Sequence, residues 1–413
     1  MNMRKDAVQI MQASLHAVLP DAAVRRALQA FRQPKGRLVM VALGKAAWQM
    51  AHAASDALGN AIEEGIVITK YGHDMGPIPR TVIWQAGHPI PDQNSFDATA
   101  AAIELVQPLR QQDTVLLLIS GGGSALFEKP LCPPDELTDM TDQLMRCGAN
   151  IVEINTLRKR ISAVKGGRFA QLCAPAQVFS IVLSDIVGDP LDMIASGPAY
   201  PDQSTTEQAI SIVQKYGLHL SPTILSLLEQ PLPHTLNNVE THITGSVREL
   251  CTAAAAQCRA LGYDPVILTD SLSCEAREAG SFLAAVAQYQ ARICQAPCAF
   301  IAGGETVVHI TGTGKGGRNQ ELALSAARGL SGIPNAVLFS VGSDGTDGPT
   351  DAAGGIVDGS TRDTLLAQGI GIEAVLQQND AYTALDRVGG LIRTGPTGTN
   401  VNDVAVLLLR PHP

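Results

Sequence analysis

Five stretches in the first half of the chain, RLVMVALG, GIVIT, TVIWQA, TVLLLIS and AQVFSIVLS, are apolar almost residue for residue. Successive side chains of a β-strand point to opposite faces, so a strand without alternation must be covered on both sides. Between these runs lie segments such as KAAWQMAHAASDAL and NSFDATAAAIELVQPL, whose apolar residues recur at helical spacing. Strands alternating with helices predict an α/β fold built on mainly parallel sheets with helices on both faces. The alternation pauses at HLSPTILSLLEQPLPHTLNNVE, where three prolines and two adjacent asparagines read as a domain connection. It resumes with THITG, DPVILTD, CAFIAGGETVVHIT and NAVLFSVGSD, and closes on DVAVLLL. A chain of 413 residues, 45% of them apolar, can build two cores, and domains typically run to about 100–200 residues. Two α/β domains are expected, residues 1–236 and 237–413.

Charge and composition exclude several functions. Aromatics make up 4% of the chain and its formal net charge is -9, which argues against a nucleic-acid surface. No apolar run reaches the roughly 18 residues that span a bilayer. The amino-terminal stretch is interrupted by Asp6, Gln9, Gln12 and His16, and reads as an amphipathic helix without the apolar region of a signal peptide. The eight cysteines are scattered, with Cys294 and Cys298 four apart and no C-x-x-C pair. Reduced thiols without structural zinc are expected, and a cytoplasmic location follows as the default. A small molecule is the expected partner, with neither nucleic acid nor membrane, and a homodimer is left open.

In open α/β sheets ligands bind beyond the carboxyl ends of the strands. VMVALGKAAWQMA puts Gly44 and Lys45 at such a turn, where a lysine can reach a phosphate or carboxylate or stand solvated at a helix start. LLLISGGGSALFEKP places Ser120, Gly121, Gly122, Gly123 and Ser124 after a strand. Three glycines let the backbone curl its N–H groups around one anion, and the serines add hydroxyl donors. NTLRKRISAVKGGRFA carries Arg158, Lys159, Arg160, Lys165 and Arg168 on one expected helix, as a solvated face or as one wall of an anionic pocket. In VLSDIVGDPLDMIASGP, Asp185, Asp189 and Asp192 fall in a Gly- and Pro-rich loop. They can hold Mg²⁺, accept a hydroxyl proton, or simply serve the turns. The second half adds Glu305, between glycines and an expected strand, and Asp344, Asp347 and Asp351 in one loop.

The stretch TGTGKGGRNQELAL gives Gly312, Gly314 and Gly317 the G-x-G-x-x-G spacing of a dinucleotide loop, with the expected strand TVVHI before it. A nicotinamide-dependent reductase is therefore one reading. Lys315 lies inside the glycine pattern, Arg318, Asn319, Gln320 and Glu321 make the helix start polar, and Asp344 opens an acid-rich loop instead of standing alone. These features favour the second reading, a loop that carries Lys315 and Arg318 toward a phosphate.

The ordered set GKAAWQMA, GHPIPD, LLISGGGSAL, LRKRISAVKGGRFA, SDIVGDPLDMIASGP, GGETVVHITGTGKGGRNQELAL, SDGTDGPTDAAGG and GTNVNDVAVLL resembles the class II glycerate kinases, the glycerate 2-kinases with a MOFRL domain. The resemblance spans nearly the whole chain. It implies a Rossmann-like amino-terminal domain and a MOFRL-type carboxyl-terminal domain around a cleft. It further implies ATP and Mg²⁺ as cosubstrates and phosphorylation of D-glycerate at the 2-hydroxyl. Lys45 and Arg318 match the positions regarded as catalytic in that family, and Asp185 and Glu305 match acidic positions of the same cleft. On this reading the Ser120–Ser124 loop, Lys315, Gly316, Gly317 and Asn319 face the nucleotide, and Asp189 and Asp347, with Glu305, are candidates for Mg²⁺. Members are often named hydroxypyruvate reductases, so an NAD(P)H-dependent hydroxypyruvate reductase stays an alternative. A non-catalytic sugar-acid-binding regulator is another, and the surplus of loop acids speaks against it.

Overall fold

The computed structural model describes residues 2–411. The chain forms two compact units. The first comprises Ala23–Leu183 and Asp189–Thr244; the second comprises the chain up to Ala22, Ser184–Gly188 and everything from Gly245 onward.

The first unit is built on β1 (Leu38–Leu43), β2 (Ile62–Lys70), β3 (Thr81–Ala86), β4 (Thr114–Ile119), β5 (Gln177–Leu183) and β6 (Val239–Gly245). They lie in the order β3-β2-β1-β4-β5-β6, and the pairs β1–β2, β1–β4, β2–β3 and β4–β5 are parallel. This is the order of doubly wound nucleotide-binding sheets, in which the chain reverses its direction of travel between β1 and β4 and leaves a crevice at their carboxyl ends. Every residue of β1 and of β4 is buried, as their unbroken apolar character requires. The helix Ala47–Leu58 covers one face, with Met50, Ala51 and Ala54 packed against Met40, Ala42 and Leu116.

The second unit holds β7 (Asp264–Leu272), β8 (Cys298–Gly304), β9 (Ala336–Gly342), β10 (Gly354–Asp358), β11 (Leu391–Ile392) and β12 (Asp403–Leu409), in the order β11-β10-β9-β12-β8-β7. Here β7 and β8 are parallel, while β12 runs antiparallel between β8 and β9, and β10 is antiparallel to both β9 and β11. The sheet is therefore mixed, because the closing strand enters its middle without a crossover helix. Alternation is absent along β12 because both faces are covered. Val404, Val406 and Leu408 join one core with the helices Met3–Ala17 and Val247–Ala260. Ala405, Leu407 and Leu409 join the other, with the helices Ala276–Ile293 and Arg318–Leu330. Fully burying one such Val or Leu contributes about 1.5–3 kcal/mol.

Two expectations from sequence change. The cations of NTLRKRISAVKGGRFA do not share one helix: Gly166 and Gly167, with φ of 58° and 85°, separate the helices Ile151–Arg160 and Arg168–Cys173. They are not a solvated face either, since Lys159, Arg160 and Lys165 are buried. Lys159 pairs with Asp192 and Asp202 at 3.0 and 2.9 Å, and Lys165 donates to the carbonyls of Ser124 and Phe127. In addition, TVVHI does not continue β8. The strand ends at Gly304, and beyond it, among the described residues, only Val307 forms a bridge, to Glu275.

Gly280 lies inside the helix Ala276–Ile293, where glycine costs about 1 kcal/mol relative to alanine. A Cβ there would overlap the carbonyl oxygen of Leu322 in the facing helix Arg318–Leu330, so the helices approach only because the side chain is missing. Gly280→Ala should therefore lower the thermal midpoint, against the sign given by helix propensity. A melt of the variant beside wild type checks this, and a higher midpoint would show that the helix contact yields easily.

Candidate functional site

Each unit brings together part of the expected residue set. In the first, Lys45 follows β1 and the segment Ser120–Ser124 follows β4, so both stand at the reversal crevice. The two turns are laced together: Lys45 N–H donates to Gly121 C=O at 2.9 Å and Ala46 N–H donates to Ser120 Oγ at 3.1 Å. Gly44, with φ of 116°, allows this approach, since a Cβ there would collide with Ser120. Gly122 has φ of 85°, a left-handed conformation that favours glycine. The hydroxyl of Ser120 is occupied within the turn, and that of Ser124 bonds Ser196 Oγ at 2.9 Å. The N–H groups of Gly121, Gly122 and Gly123 and the ammonium of Lys45 have no protein partner among the described residues. That is a donor set without acceptors, as an anion site requires.

Behind this loop lies a buried charge cluster. Lys165 and Arg158 stand 3.3 and 3.7 Å from Glu128 and both donate to the carbonyl of Ser124. Burial pulls the Lys165 ammonium down to about 8, partly offset by Glu128. Asp189 also belongs to this unit. Its backbone has φ of 52°, and its Oδ1 is buried without a hydrogen-bond partner.

In the second unit Arg318 opens the helix Arg318–Leu330. Its guanidinium grips Asp403 through Nε at 2.6 Å and Nη2 at 3.0 Å, and its Nη1 reaches Glu305 at 2.8 Å. Burial lowers the arginine pKa, but the bonds to Asp403 and the charge of Glu305 outweigh it and the net shift is upward. Asn402 holds a left-handed backbone, φ 65°, and donates from Nδ2 to Glu305 at 3.3 Å and to the backbone carbonyl of Asp185 at 3.2 Å. Glu305, Arg318 and the backbone of Asp185 are thus brought together around Asn402 and Asp403.

Asp347 caps the same helix from outside. Its two oxygens accept from the amides of Asn319 at 3.1 Å and Gln320 at 2.9 Å. Burial pushes its pKa up to about 6 despite those bonds. The side chain of Asn319 is buried and bonded to Ser340 and Asp347. Lys315 lies over the ring of Tyr382 at 4.2 Å. The glycines before it serve close packing against the protein itself: a Cβ on Gly312 or Gly314 would overlap the Gln378–Asp380 segment, and one on Gly317 would overlap Asp347. Gly316 sits against Asn379 and Ala381. The approach that a dinucleotide's pyrophosphate needs is taken by the chain.

Sequence reasoning missed Asn402 and Asp403. Their signal was the polar NVND directly before an unbroken apolar run. It also left His88 without a role; it lies after β3 in GHPIPD, beside Gly122 and Lys45.

Residues 6–229 match a family described as a domain of unknown function, DUF4147, and residues 298–403 match the MOFRL family. The chain is 50% identical over 413 residues to a D-glycerate 2-kinase of Thermotoga maritima, covering 99% of each protein. A crystal structure of a glycerate kinase from the same organism superposes with a TM-score of 0.94, covering 98% of this chain and 99% of that one. A protein of Agrobacterium vitis provisionally named hydroxypyruvate reductase is 37% identical, over 97% of this chain and 93% of its own length. Among the described residues no helix is long and apolar enough to cross a membrane.

Asp347 is a cap whose strength depends on pH. Its folded pKa lies above the ordinary aspartate value, so its stabilising contribution is greatest when it is protonated and declines as pH rises through about 6. Asp347→Ala should cost about 1–2 kcal/mol by loss of the cap. The gap from wild type should widen between about pH 7.5 and pH 5. Thermal melts at both pH values measure this; a gap that narrows toward pH 5 contradicts the burial argument.

Proposed function

The chain belongs to the MOFRL-containing glycerate kinases, and from that premise we propose that it transfers the γ-phosphoryl group of ATP to the 2-hydroxyl of D-glycerate, giving 2-phosphoglycerate and ADP. The observation that carries this reading is the crevice in the first unit, where the Lys45 ammonium and the amides of Gly121, Gly122 and Gly123 have no protein partner among the described residues. Phosphoryl transfer asks a protein mainly for positioning and charge neutralisation. Lys45 and the glycine amides would bind phosphate oxygens. Arg318 has five N–H donors and spends three on Asp403 and Glu305, which leaves two for oxygens of an anion. Asp185 would orient the attacking hydroxyl. Glu305 and Asp403 would hold Arg318 charged and aimed.

Mg²⁺ is implied by the family and fits a residue of this chain. Asp189 presents a buried carboxylate oxygen without a partner, as a cation ligand would. No group of three His, Cys, Asp or Glu side chains that could hold a metal occurs among the described residues. The donor set therefore suits an ion that takes one protein carboxylate and completes its shell with phosphate oxygens and water. Asp189 is the proposed ligand; Asp347, the second candidate, would have to give up bonds to the amides of Asn319 and Gln320. When bound, the ion supplies neutralising charge on the nucleotide phosphates.

With D-glycerate, ATP and Mg²⁺, ADP and 2-phosphoglycerate should appear, while hydroxypyruvate with NADH or NADPH should give no comparable turnover. Nicotinamide oxidation without ATP consumption would instead establish the reductase. Arg318→Lys keeps the charge but loses the fork that grips two oxygens, so turnover should fall. Arg318→Ala should fall further, by about 10³-fold, as for other arginines that stabilise phosphoryl transfer. Steady-state kinetics beside a thermal melt decide this, and near-normal phosphorylation by Arg318→Ala removes the residue from the mechanism. Gly122→Val should raise the Michaelis constant for ATP or glycerate, because the left-handed backbone and the closeness of His88 and Lys45 leave no room for a branched side chain. Unchanged constants in a folded variant would make the loop purely structural.

A further inference from the structure

At the carboxyl ends of β1 to β4 the first unit gathers more than Lys45 and the glycine loop. Lys70 ends β2, His73 follows it, and His88 follows β3. His73 Nδ1 is spent on the carbonyl of Lys45 at 3.0 Å. The ring of His88 stands over Gly122: a Cβ built on that glycine would lie 3.0 Å from His88 Cδ2, 3.1 Å from its Nε2 and 3.1 Å from Lys45 Cγ. Neither the His88 ring nor the Lys70 ammonium has a hydrogen-bond or ion-pair partner among the described residues.

The chemistry of these groups is one-sided. Lysine ammonium groups and backbone N–H groups only donate. They suit phosphate and carboxylate oxygens, but none of them can receive a proton from an attacking hydroxyl. We infer that His88 is a catalytic residue of this crevice, whose Nε2 accepts the proton of the substrate hydroxyl during phosphoryl transfer. This deepens the kinase reading above and rests on it. As the hydroxyl oxygen forms its bond to the γ-phosphorus, the bond between that phosphorus and the leaving oxygen of ADP breaks. The hydroxyl proton passes to Nε2 and later to solvent.

The surroundings keep the ring in the state this requires. Partial burial lowers the His88 pKa, and the charges of Lys45, Lys70 and His73 lower it further. Asp92, on the same loop as His88, is tied to the hydroxyl of Tyr71 at 2.7 Å and to the amide of Ser95 at 3.0 Å. His88 is thus neutral at neutral pH and able to accept.

The test is a pH profile of kcat/KM for D-glycerate with ATP and Mg²⁺, for wild type, His88→Gln and His88→Asn. Wild type should lose activity tenfold per pH unit once pH falls below the depressed histidine pKa, under about 6.5. The variants should lose about 10²–10⁴-fold at neutral pH, chiefly in kcat, and should lack that acid limb. The Michaelis constant for ATP should change less than kcat, because the proton moves only during the chemical step. A residue that merely shaped the loop would lower activity and leave the limb in place, which would overturn the assignment. So would a folded variant of near-normal kcat, or a wild type whose profile shows no acid limb anywhere below about pH 6.5, a result that needs no variant to fold. A wild type without glycerate phosphorylation at any pH would sink the kinase reading and this inference together; turnover with an unchanged variant would sink this one alone.

Discussion

The carboxylate of Asp403 sets the terms for the carboxyl-terminal site. It begins a strand that is buried along its whole length and lies in the middle of its sheet, between β8 and β9. Burial pushes its pKa upward, against the bidentate grip of Arg318 and a hydrogen bond from the Asn319 side chain. Removing one partner of such a pair strands a buried charge, at a cost of about 3–5 kcal/mol. The start of the helix Arg318–Leu330 must therefore come to Asp403, and the neighbouring loops follow. Asp347 holds the first amides of that helix, and Gly317 has no side chain because Asp347 fills the space. Asn402, one residue before Asp403, accepts a left-handed backbone and connects Glu305 to the Asp185 carbonyl. The positions of the acids thus follow from one ion pair.

Much of the fold was legible because burial on both faces leaves a plain mark in sequence. β1, β4, β9 and β12 are apolar without alternation and buried along their whole length. The same mark carries no direction, so nothing in DVAVLLL announced that β12 would enter antiparallel. It also misled at TVVHI, where Val307 and Ile310 are apolar but exposed. The cations between Arg158 and Arg168 read as a solvated face or as one wall of an anionic pocket on a single helix. Two left-handed glycines turn the chain there, so that the cations are spent on Glu128, Asp192, Asp202 and backbone carbonyls.

The candidate site was legible where a turn motif follows a strand. Lys45 and the three glycines stand at the carboxyl ends of β1 and β4, as the strand-to-helix reading required. His88 was invisible for a different reason. A single histidine in a short loop carries no spacing signal, and its value appears only once β3 is known to lie beside β2 and the ring over Gly122. Asn402 and Asp403 sat in a quoted motif but ahead of an apolar strand, where polar residues ordinarily mark a turn.

The two cations at the heart of the proposed reaction differ in what surrounds them. The Lys45 ammonium has no partner among the described residues, so an incoming phosphate meets it at no cost beyond desolvation. Arg318 is already paired on two sides, and its partners are unequal. Asp403 is nearly closed off from solvent, while the side chain of Glu305 is 48% exposed. An exposed ion pair is worth about 0–1 kcal/mol, so Glu305 can yield to a phosphate at little cost, whereas Asp403 cannot be left without its arginine. The buried acid then fixes the plane and position of the guanidinium, and the exposed acid occupies the edge that a substrate would need. An arginine arranged in this way stays charged and oriented before any anion arrives, which is the condition under which a fixed charge favours the transition state instead of reorganising to meet it.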